Sequence, residues 1–89
     1  MFCKIVKITN RFGEDKLYDP HAVQRIGRII DDVQSTISVG GIGMLYCVFP
    51  SHGKDMVTSR IVSITNEGKL TIVETKNSIY YLAKVEELE

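Results

Sequence analysis

Residue types able to do acid–base or nucleophilic chemistry are few in this chain of 89 residues, and their spacing argues against catalysis. Ser51, His52 and Asp55 share one short polar stretch. Catalytic triads are assembled from distant segments, so near neighbours in one loop do not reach the required geometry, and the stretch reads as a solvated loop. Asp31 and Asp32 are consecutive, so in a strand they point to opposite faces and form no carboxylate dyad. Gly40-Gly41-Ile42-Gly43 is glycine-rich, but a phosphate loop needs a helix that starts straight after its glycines. The next residues, Met44 to Phe49, are instead an apolar run of strand type with no lysine–hydroxyl pair. Cys3 and Cys47 form no CxxC and stand apart from His21 and His52, so both read as free buried thiols of a reducing compartment. A structural zinc needs about four ligands at tight spacings. The sequence therefore predicts no catalytic residue, no metal site and no cofactor, and a protein that is not an enzyme.

What remains is recognition. Tyr46, Phe49, Tyr80 and Tyr81 lie on or beside strand-like runs, with Arg25, Arg28, Lys54 and Arg60 near them in sequence. Small barrels bind nucleic acid through aromatic strands and loops, and stacking with a few cations also holds a single nucleotide. The 11 basic residues are cancelled by 11 acidic ones. A dedicated nucleic-acid binder carries a basic excess, so the balance favours a small ligand or a protein partner over a long polyanion. The candidate ligand-binding residues are Arg25, Arg28, Tyr46, Arg60, Asn77 and Tyr81, read as cations and ring faces set around one pocket.

These side chains need a scaffold. With 44% hydrophobic and 25% charged residues, the chain reads as a single globular domain over 1–89. No apolar run approaches the about 18 residues of a membrane span, and Met1 to Lys7 has no long apolar core of a secretory signal, which predicts a cytoplasmic protein. Phe2 to Thr9 nearly alternates and is β-branched, the pattern of a half-buried strand. Further strands are predicted over 44–49, 56–65, 70–75 and 79–85, with a hairpin turn at Asn66-Glu67-Gly68-Lys69 and an acidic, solvated end at 86–89. The stretch 19–33 is ambiguous. Asp19 and Pro20 are a helix cap and first position, and Val23, Ile26, Ile30 and Val33 continue at helical spacing. Against that, Gly27 costs about 1 kcal/mol in a helix interior, and Arg25 to Ile30 equally reads as a strand with a glycine bend. Lys4 to Asn10 is echoed by Arg60 to Asn66, one strand and its exit turn, too short for a duplicated domain.

The second half carries a recognisable pattern. Thr58-Ser59-Arg60-Ile61-Val62-Ser63-Ile64, a hairpin, then Thr75-Lys76-Asn77-Ser78-Ile79-Tyr80-Tyr81-Leu82 resembles T-S-x-V-x-x-I and T-x-N-S-x-Y-x-L in small proteins of bacteriophages and mobile elements, mostly without assigned function. Ile61 departs from the commoner valine. The resemblance covers about two thirds of the chain. It implies a small antiparallel Src-homology-3-like (SH3-like) or Sm-like β-barrel, with Arg25 to Val33 as a strand and at most a short helical segment near 19–24. It also implies a homo-oligomer, a dimer joined through edge strands. The Thr58-Ser59 hydroxyls suit a loop backbone and Asn77-Ser78 a one-turn 3₁₀ corner; equally, these residues would edge a shared pocket. Tyr80 is expected to bury its ring and extend its hydroxyl to a partner.

The expected core is Val6, Ile8, Ile26, Ile30, Leu45, Val62, Ile64, Leu70, Ile72, Tyr80 and Leu82. The expected function is that of a non-enzymatic phage-type binding protein. It would act as a counter-defence factor that sequesters a nucleotide-like signal or blocks a host protein. An RNA- or DNA-binding barrel or a structural interaction module is the alternative.

Overall fold

The computed structural model describes residues 2–49, 51 and 53–85, apart from the side chains of 32–34 and 36. Pro50, His52 and the acidic end 86–89 lie outside these, as do the side chains of Asp32 and Val33. Among the described residues six strands form one closed antiparallel barrel: β1 (Phe2–Asn10), β2 (Ile29–Thr36), β3 (Ile42–Cys47), β4 (Met56–Glu67), β5 (Leu70–Thr75) and β6 (Ser78–Val85). Each pairs with the next in the chain, and β6 closes on β1. The architecture is the small all-β barrel that the resemblance implies, consistent with the SH3-like class. Every strand has a neighbour on both sides, so a dimer would meet through barrel faces rather than by pairing edge strands. Among the described residues no helix is long and apolar enough to cross a membrane.

Among the described residues one helix, α1 (Pro20–Arg25), interrupts the strands. Asp19 caps it by accepting from the His21 amide at 3.0 Å, and Pro20 occupies the first turn. The helical spacing does not continue to Val33. Gly27 adopts φ +94°, a left-handed conformation that favours glycine, and its amide donates to the Ile5 carbonyl at 2.7 Å. Arg25 to Arg28 is therefore a helix end and a turn, not a strand, and β2 begins at Ile29. Ala22 places the helix on the barrel core.

Two strands shift phase at the same point of the internal echo. β1 slips register against β6 between Ile5 and Lys7, and β4 slips against β5 between Ile61 and Ser63. Each slip inserts one valine without a cross-strand partner, as a β-bulge does. Ile5 and Ile61 are buried, while Val6 is 44% and Val62 53% exposed. The two valines thus leave the expected core. After each bulge the inward phase resumes, and Ile8, Tyr80, Val73 and Ile64 pair in a row across β1, β6, β5 and β4.

The inner face of β5 also differs from expectation. Val73 and Thr75 are buried, whereas Leu70 and Ile72 are only half-buried. Ile72 pairs with Tyr81 and Thr65 on the outer face. Strict alternation does not say which face is inner, and Tyr80 opposite Val73 decides it. The core is completed by Cys3, Ile30, Leu45, Met56 and Leu82. Cys3 is buried, Cys47 is half-buried, and neither forms a disulfide.

Candidate functional site

The two halves of the Thr-Ser and Thr-x-Asn-Ser pattern meet at one corner of the barrel. Within β4, the buried Thr58 hydroxyl accepts from the Gly43 amide at 3.0 Å and donates to the Ser59 carbonyl at 2.8 Å. Gly43 is required there, because a Cβ would lie 2.5 Å from that hydroxyl oxygen. Ser59 donates to the Thr75 hydroxyl at 2.9 Å and accepts from the Asn77 amide at 3.3 Å. Thr75 in turn accepts from the Ser78 amide at 3.0 Å and donates to the Ser78 carbonyl at 2.8 Å. The β5–β6 connection is thus a bend held by side chains, not the 3₁₀ turn expected.

The same corner forms one side of a cleft of about 190 Å³ beside α1. Ser59, Asn77, Ser78 and Tyr80 supply the corner side, and Asp19, His21 and Arg25 the helix side. Lys16 enters from the loop between β1 and α1. That loop is folded back on β1: the Asn10 side chain accepts from the amides of Phe12 and Glu14, and the Lys16 amide donates to the Ile8 carbonyl at 3.0 Å. The Lys16 ammonium then donates to the Ser78 hydroxyl at 2.8 Å. Arg25, at the end of α1, donates through Nη1 to the Tyr80 hydroxyl at 2.7 Å. Tyr80 behaves as expected, with its ring in the core and its hydroxyl on a partner.

Charge is concentrated here. Lys16 and Arg25 bring two cations, and the one carboxylate in the lining, Asp19, spends one oxygen on the helix cap. A second hollow, of about 300 Å³ below Tyr46, is larger but carries the carboxylates of Asp31 and Asp55, which disfavours an anion. Among the described residues, no cluster of His, Cys, Asp and Glu is arranged to hold a metal ion.

Of the six candidate residues, Arg25 and Asn77 line the cleft together and the other four lie elsewhere. Arg28 donates to the carbonyls of Gln24 and Lys54, each at 3.1 Å, and clamps the helix turn to the β3–β4 loop. Arg60 donates to the Gly40 carbonyl at 3.0 Å on the outside of the barrel. Tyr46 is exposed on β3 over the second hollow. Tyr81 faces outward with the Lys7 ammonium 5.5 Å from its ring centre, since consecutive residues of a strand point to opposite faces. Lys16, His21, Ser59, Ser78 and Tyr80 were not among the six. The pattern of Ser59, Ser78 and Tyr80 carries the signal for three of them. Nothing local marks Lys16, whose place depends on the loop returning to Ile8. Comparison with family models, with curated proteins and with solved structures returns no match to this chain.

Proposed function

We propose that this barrel is a non-enzymatic binding protein that captures a small nucleotide-like anion in the cleft between α1 and the β5–β6 corner. The observation that supports it is the convergence of Lys16 and Arg25, each already oriented by a hydroxyl of β6, in a chain whose 11 basic and 11 acidic residues balance. Charge-assisted donors held in place before binding are what anion recognition requires. The cleft is smaller than the about 300–1,000 Å³ of sites that engulf a drug-sized ligand, so it takes one end of the molecule. Sequestration of a nucleotide signal, as a phage counter-defence factor in the host cytoplasm, is the setting that the family resemblance supplies. A second reading, blockade of a host protein, is favoured by the exposed Ile42, Met44 and Val57 on the outer face of β3 and β4.

The test is thermal shift and calorimetry against a panel of linear and cyclic nucleotides. With no Trp and 4 Tyr, the protein absorbs weakly, so a co-purified nucleotide would dominate the spectrum near 260 nm. Saturable binding weakened by Arg25→Ala supports the reading. A clean protein spectrum with no shift across the panel overturns it in favour of the protein partner.

A further inference from the structure

Among the described residues, two buried hydroxyls of the cleft have hydrogens that meet no acceptor. Ser78 is 7% and Tyr80 5% exposed. The Ser78 oxygen accepts from Lys16 and the Tyr80 oxygen accepts from Arg25, so each hydroxyl is left with its own hydrogen to donate. Buried donors of this kind are rare because each leaves desolvation uncompensated. Both belong to β6 at positions two apart, so they face the same side of the strand, toward the cleft. Lys16 and Arg25 have further N–H groups beyond the one each spends on its hydroxyl. The site therefore offers four donor groups of two kinds, cation and hydroxyl, in alternating pairs.

We infer that the cleft is built for a terminal phosphomonoester, so that it selects linear nucleotides ending in phosphate over cyclic phosphodiesters. This rests on the binding reading above. A monoester presents three unesterified oxygens and a charge of about −1.5 to −2 at pH 7. A cyclic diester presents two such oxygens and a single charge, which leaves part of the donor set unmatched. Each of the two hydroxyl hydrogens gains an acceptor from a monoester oxygen. The ring of Tyr80 is in the core and offers no face for stacking, so the phosphate end carries the recognition.

The experiment titrates the full chain by calorimetry with adenosine 5′-monophosphate, adenosine 3′,5′-cyclic monophosphate and inorganic phosphate. The linear nucleotide is expected to bind at least about tenfold more tightly than the cyclic one, the effect of one hydrogen bond to a charged group. Tyr80→Phe, which keeps the ring, and Ser78→Ala should each lower the affinity for the linear nucleotide by about tenfold and change that for the cyclic one less than about twofold. Circular dichroism confirms that both variants remain folded. Equal or tighter binding of the cyclic nucleotide overturns this inference and leaves the binding reading standing. Binding of neither nucleotide overturns both.

Discussion

The hydroxyl of Ser59 on β4 donates to that of Thr75 at the end of β5, 2.9 Å away and 16 residues on. This contact joins the two halves of the sequence pattern, and the Ser78 backbone completes it through Thr75. The corner that supports the cleft is therefore held by one threonine that makes three hydrogen bonds.

Thr75→Val keeps the shape and removes all three. The half-buried Ser59 hydroxyl and the buried Ser78 amide lose their partner. A loss of about 1–3 kcal/mol in unfolding free energy is expected for a buried polar group left unsatisfied. Urea denaturation measures it, and a change within error would show that the corner does not depend on Thr75.

Gly43→Ala drives a methyl group against Thr58 in the packed interior. The expected destabilisation is about 1–3 kcal/mol, typical of overpacking. Pairing it with Thr58→Ala opens the space, so the double variant should lose less stability than the two single losses summed.

Asp19→Ala removes the α1 cap. The cost in stability should be about 0.5–2 kcal/mol, with faster amide exchange in Pro20–Arg25 than in the strands. Because Arg25 is carried on this helix, ligand affinity should fall as well, although Asp19 is an acid beside an anion site.

The four displaced candidates separate the cleft from the rest of the surface. Arg28→Ala, Tyr46→Ala, Arg60→Ala and Tyr81→Ala should each leave nucleotide affinity unchanged within about twofold, while Arg25→Ala lowers it at least about tenfold. Calorimetry on the five variants decides the matter. A large loss from Tyr46→Ala would move the site to the hollow at Asp31 and Asp55.

Strands and turns were legible because alternation, β-branching and glycine placement act locally. The cap at Asp19-Pro20 was legible for the same reason, and the end of α1 depended on the backbone conformation of Gly27. The inner face of β5 was not legible, since Leu70 and Val73 are equally apolar and only pairing with Tyr80 distinguishes the faces. The site was legible in part. Arg25 and Asn77 lie on its rim, but their grouping with Arg28, Arg60 and Tyr81 took closeness in sequence for closeness in space. A helix, a turn and two strand faces carry those residues to different sides of the barrel.

Losing the codon for Val6 or for Val62 is a different event from replacing either residue. Both side chains face solvent, so most substitutions there disturb little. An in-frame deletion instead removes the extra residue and restores a regular two-residue beat. Lys7 and Ile8 already pair with Tyr81 and Tyr80, next to Leu82 opposite Ile5. Ser63 and Ile64 likewise pair with Glu74 and Val73, next to Thr75 opposite Ile61. Every later position therefore keeps its face, and Ile8 or Ile64 stays inward. The gene therefore has two points that tolerate both missense changes and the loss of one codon, whereas a deletion at another position of either strand turns over the residues that follow it. They fall at equivalent places in the two echoed segments, where a scan of single-residue deletions would find them.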